Sequence, residues 1–118
     1  MTQIKRKLRE AEIYERQAEI CAALASPVRL MILDLLSEGE ATATELQKEL
    51  GLPKSNLSQH LRVLKSAGIL NVRSEGLFQY MSIAIPEVMQ ACALVGKVLS
   101  VQVQKELETA RGWKAKLS

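Results

Sequence analysis

The side chains best suited to chemistry lie between Lys54 and Ser66. With Leu57 at zero on a helical wheel, Leu61 and Leu64 fall on the same face. Ser55, Gln59, Arg62 and Ser66 fall opposite, with Asn56 and Ser58 on the flanks. Gln and Asn can bond adenine edges in pairs. Arg can take guanine or a phosphate oxygen, and Ser can donate to either. Lys54 and Lys65, near the ends of the stretch, are placed for phosphates. A plain solvated face usually carries Glu as well as Lys. Here no acid occurs from Lys54 to Ser74, the pattern a polyanionic partner favours. His60, the only histidine, sits beside the leucine face and reads as a structural residue that helps fix this helix.

The surrounding elements must hold that face in place. Thr42-Ala43-Thr44-Glu45 has capping-box spacing and opens a short helix with Leu46 and Leu50 inward. Gly51-Leu52-Pro53 forms a tight turn, and a second helix then runs to Ala67 and closes at Gly68. Two short helices joined by a three-residue turn containing Gly make a helix-turn-helix over 42–67. Next comes strand, turn, strand over 69–83: a β-hairpin wing with its turn at Ser74-Glu75-Gly76. Upstream, Ser26-Pro27 caps a helix carrying Val28, Leu30, Met31, Ile32, Leu35 and Leu36, expected to be the buried centre. A first helix from Ile4 to Leu24 shows one apolar stripe. A last helix, 86–110, is apolar nearly all round and needs cover on more than one side, one of them from a partner chain.

Composition narrows the classes. The chain has 118 residues, 47% hydrophobic and 25% charged, which fits a single soluble domain over 1–118. A core this small makes burial shared with a second copy plausible. The net charge is +3, and between Pro53 and Tyr80 the charged residues are Lys54, Arg62, Lys65 and Arg73 against Glu75 alone. Aromatics are only 3%, which argues against a stacking platform for single strands. No apolar run reaches the length of a membrane span, and the charged start is no signal peptide, so the cytoplasm is the expected location. No nucleophile–base pair, carboxylate dyad or Gly-rich phosphate loop points to an enzyme.

From Ala23 to Tyr80 the sequence resembles the ArsR/SmtB family of bacterial winged-helix repressors. The resemblance rests on Leu24-Ala25-Ser26-Pro27-Val28-Arg29-Leu30, Ser58-Gln59-His60-Leu61, Leu64-Lys65-Ser66-Ala67-Gly68-Ile69 and Glu75-Gly76. It implies a mainly α fold of about five helices with a two-stranded wing. It also implies a homodimer held by the first and last helices, 1–24 and 86–110. The helix from Lys54 would bind a pseudo-palindromic operator in double-stranded DNA, and an inducer would release it. Two such helices would sit about 34–36 Å apart, on successive major grooves.

The sequence departs from the family at its metal sites. Metal-sensing members carry a Cys-x-Cys-type pattern in the short helix before the turn, where this chain has Ala41-Thr42-Ala43-Thr44-Glu45. Others carry Asp and His on the last helix, which here has no His. No metal is therefore expected. The dithiol of the sulfur-sensing members is also absent, since Asp34 and Ser100 occupy its positions.

Cys21 and Cys92 lie on apolar stripes of the first and last helices. Either they are small core residues, or they approach one another as a thiol switch or a site for an arsenite-type soft ion. A third reading keeps them structural and makes the inducer a small organic ligand. A further alternative is a winged-helix module whose Ser55/Gln59/Arg62 face meets protein.

In the wing, Arg73 and Gln79 can touch backbone or minor groove. Leu77 and Phe78 stand where the family would place Arg or Lys. Either Phe78 packs beneath the hairpin, or the wing grips DNA with less charge. Lys5-Arg6-Lys7 and Arg9 either reach flanking phosphates or form a solvated helix end.

Overall fold

The computed structural model describes residues 10–117. The basic start from Ile4 to Arg9 lies outside the described residues. The elements are α1 (Ala11–Leu24), α2 (Pro27–Leu36), β1 (Ala41–Thr42), α3 (Ala43–Leu50), α4 (Lys54–Ser66), β2 (Leu70–Glu75), β3 (Phe78–Ile83) and α5 (Glu87–Leu117). They form two compact units, Met1–Ile85 and Pro86–Ser118. No described helix is long and apolar enough to cross a membrane.

Local sequence sets the helix ends of the first unit. The Ser26 hydroxyl accepts from the Arg29 amide, and Pro27 opens α2 without needing a donor. Thr42 and Glu45 complete a reciprocal capping box at the start of α3. Gly51 ends α3 in a left-handed conformation (φ 64°), which costs a glycine little. At the end of α4, Gly68 N–H donates to Lys65 O and Ile69 N–H to Leu64 O, both at 3.0 Å. These two bonds are a Schellman stop, accompanied by the buried Leu64 and Ile69 side chains.

The core of this unit lies where α2, α3 and α4 meet the start of the sheet. Ile32, Leu33, Leu46, Leu57, Leu64 and Ile69 are its fully buried large side chains. Each contributes on the order of 1.5–3 kcal/mol by leaving water. The expectation that α2 is the buried centre holds for only part of its apolar residues. Ile32, Leu33 and Leu36 are buried, but Leu30 and Met31 point outward and are exposed. Leu50 and Leu61 are half-buried.

The wing has three strands, not two, in the order β1-β3-β2. Ala41 pairs with Met81 and Thr42 with Tyr80, antiparallel. A two-residue strand shows no alternation in sequence, and Thr42 also serves as the cap of α3. The hairpin turn is also one step later than expected. Glu75 pairs with Phe78, which leaves Gly76-Leu77 as a two-residue loop and places Ser74 and Glu75 in β2. Gly76 takes φ 61°, and Leu77 is not in the left-handed region, which fits a type II′ turn with glycine first.

The second unit is dominated by α5, which runs to Leu117 rather than Ala110. One glycine, Gly112, costs a helix only about 1 kcal/mol and does not stop it. Lys114 and Lys116 lie in the last turn, where cations suit the helix dipole. Nearly the whole helix is exposed, including Leu94, Val95, Val98, Leu99 and Val101. On α1 the exposed apolar residues are Ile13, Tyr14 and Ile20.

Candidate nucleic-acid interface

The α3–turn–α4 segment sets out one polar surface. The inner face of α4 is anchored by Leu57 and Leu64, with Leu61 beside them. Lys54, Ser55, Asn56, Ser58, Gln59, Arg62, Lys65 and Ser66 are all exposed. None of these eight bonds another side chain among the described residues. Their donors and acceptors are therefore available, on a rigid element, to an external partner. No described residue of this helix is acidic.

Arg73 is differently placed. Its guanidinium makes a bidentate pair with Glu40, with Nη2 to Oε1 at 2.6 Å and Nε to Oε2 at 3.3 Å. Its Nη1 donates to Glu75, and the group lies over the Tyr80 ring, 4.6 Å from its centre. Hydrogen bonds donated to Glu40 and Glu75 push the guanidinium's ionisation further up. Arg73 in turn holds the Glu40 carboxyl below its ordinary range. Every arm of this arginine is occupied, whereas those of Arg62 are not. At the wing tip, Leu77 and Phe78 are exposed, so Phe78 does not pack beneath the hairpin. Gln79 is also exposed, opposite Ser74.

His60 is half-buried on the flank of α4, and its Nδ1 lies 3.1 Å from Arg29 Nη1. Sequence reasoning placed His60 as a structural residue but singled out no role for Arg29. The signal was its place three residues after the Ser26 cap, which turns it back toward the end of α1.

Cys21 and Cys92 fall in different units, and both thiols are free. Cys21 is exposed, so within this chain it is not a core residue. Cys92 is half-buried, and that burial pushes its thiol up from the ordinary value. The described residues contain no group of three or more His, Cys, Asp or Glu placed to hold a metal.

A helix-turn-helix domain family matches residues 24–73. An uncharacterized HTH-type transcriptional regulator of Mycobacterium tuberculosis, Rv0081, is 40% identical over 89 residues, 75% of this chain and 78% of its own. Its crystal structure matches with a TM-score of 0.74 at 38% identity, covering 80% of this chain and 96% of that one. The homodimeric winged helix-turn-helix DNA-binding domain of a possible ArsR-family regulator from Mycobacterium bovis matches at 37% identity and a TM-score of 0.71. It covers 78% of this chain and 85% of that one. The transcriptional repressor SmtB of M. tuberculosis is 38% identical over 65 residues, 55% of this chain and 48% of its own.

Proposed function

The chain belongs to the ArsR/SmtB family of winged helix-turn-helix transcriptional regulators, and we propose that it works as a homodimeric repressor whose α4 reads an operator major groove. The observation that carries this is the exposed, acid-free and unengaged polar face of α4. In this reading Gln59, Asn56 and Arg62 meet base edges, Ser55 and Ser58 support them, and Lys54 and Lys65 hold phosphates. Arg73, paired with two carboxylates, keeps the wing in position and adds little attraction for phosphate.

The homodimer reading is supported by the exposed apolar residues of α1 and α5 and by the homodimeric relative. Such surface is seldom left to water over a whole 31-residue helix. A two-fold axis would match a pseudo-palindromic operator. For the inducer, the reading is a thiol-reactive species or soft ion sensed by Cys21 and Cys92, both thiols being free, with burial disfavouring the reactive thiolate of Cys92.

The test is a fluorescence-anisotropy titration of the full chain against its own upstream intergenic DNA and a scrambled duplex, at several salt concentrations. The reading expects preference for the upstream DNA and a steep fall in affinity with salt. Binding that ignores both sequence and salt would favour a protein-interaction module instead.

A further inference from the structure

Burial of Leu57 and Leu64 sets which face of α4 turns inward, but the hydrophobic effect itself is non-directional. A directional contact is supplied by Arg29, the third residue of α2. Its Nε donates to Ala23 O at 2.6 Å and its Nη2 to Ala22 O at 3.2 Å. Those carbonyls lie in the last turn of α1, which has no basic residue of its own there. Arg29 thus gives Ala23 O a donor, adds a second one to Ala22 O beside the Ala25 amide, and supplies the favourable cation. The remaining arm reaches His60 Nδ1, next in sequence to Gln59 and two residues before Arg62.

From this geometry we propose that Arg29 is a positioning residue that seats the DNA-reading helix through His60, and that a proton on His60 releases that seat. This deepens the reading of α4 as the operator-reading helix and rests on it. A guanidinium only donates, so His60 Nδ1 must be the acceptor and its ring proton lies on Nε2. Protonating the ring removes the acceptor and sets a second cation beside Arg29. The sign follows: the tie is intact on the alkaline side and is lost as pH falls. The charged group at His60 is Arg29 from α2, which also lines a cavity of about 550 Å3 with Glu19 of α1 and Arg62 of α4. The same tie joins the end of α1, next to Cys21, to the helix that reads DNA.

The test compares operator and scrambled-duplex affinity of the full chain from pH 7.5 to 5.5 for wild type, His60→Asn and His60→Ala. Asn places an acceptor near the Nδ1 position but does not titrate. Wild type is expected to lose about tenfold in operator affinity across this range, with scrambled-duplex affinity changing much less. H60N is expected to keep near wild-type affinity with a flat profile, and H60A to be weak at both ends while still folded and dimeric. Because Arg29→Ala also strips α1 of its cap and endangers folding, the His60 pair carries the test. A folded H60A that binds as wild type does, or an H60N that keeps the wild-type pH response, overturns the proposal alone. A wild type that never distinguishes operator from scrambled DNA overturns the α4 reading with it.

Discussion

Arg73 and Glu40 are 33 residues apart in sequence, yet both carboxylate oxygens of Glu40 accept from the Arg73 guanidinium. The pair joins the wing strand β2 to the loop before β1, and Glu75 takes the third arm. The one basic residue of the wing therefore sits between two acids, and the cluster as a whole is negative. In the proposed reading, DNA grip then comes from α4 rather than from the wing.

Removing the acids should reverse that balance. Replacing Glu40 and Glu75 together with Gln frees Arg73 for phosphate. Operator affinity at low salt is expected to rise about three- to tenfold, and the salt slope to steepen by about one. Anisotropy titrations over salt would read both, and an unchanged slope would show that Arg73 stays clear of DNA. Both groups are exposed, so little change in folding stability should accompany this. The Glu40 carboxyl is depressed, so its pairing is present above the ordinary carboxylate range and is lost only as pH falls through the lowered value. Between pH 5.5 and 7.5 the pair contributes a constant, which keeps the His60 experiment free of it.

On α4, base readers and phosphate holders should separate. Gln59→Ala and Arg62→Ala are each expected to cost about 1–3 kcal/mol of operator discrimination. Lys65→Ala should weaken operator and scrambled DNA alike and lower the salt slope by about one. Light scattering should show the same oligomer in all three. If Q59A and R62A both keep full discrimination, α4 does not read the operator.

Thr42 links the sheet to the helix-turn-helix, as strand partner of Tyr80 and cap of α3. Thr42→Ala should cost about 1 kcal/mol of stability through the lost cap. Glu45→Gln, which can still reach back to the Thr42 amide, should cost much less. Denaturant melts of the two variants give the comparison, and equal losses would remove the cap as the cause.

For the inducer, Cys21→Ser is expected to abolish most of the DNA release caused by tetrasulfide, arsenite or diamide. Cys92→Ser should retain most of it, because the half-buried thiol forms its thiolate less readily. A double variant still released in full would leave the thiols as structural residues and turn the search to small organic ligands.

Much of this was legible in the sequence because the signals were local. The Ser26-Pro27 start, the Thr42–Glu45 box and the Gly51 and Gly68 stops each rest on residues a few positions apart. So does the alternation of Leu57, Leu61 and Leu64 with the polar face. What was missed depends on distant partners. The third strand is two residues long, so only its pairing with Met81 and Tyr80 reveals it. Arg73 read as a free cation because Glu40 lies far away in the chain. Arg29 read as an ordinary helix residue because both of its bonding partners, the end of α1 and His60, become neighbours only on folding. The length of α5 beyond Ala110 includes Gly112, a poor helix former that a long helix nevertheless tolerates.

The most direct test of the central claim is a hydroxyl-radical footprint with methylation interference on the upstream intergenic DNA, using wild type and Gln59→Ala. The account predicts two symmetric half-sites about one helical turn apart, with interference from major-groove methylation, and loss of that pattern in Q59A at concentrations where wild type protects fully. A footprint confined to the minor groove, or one that Q59A reproduces unchanged, would contradict it.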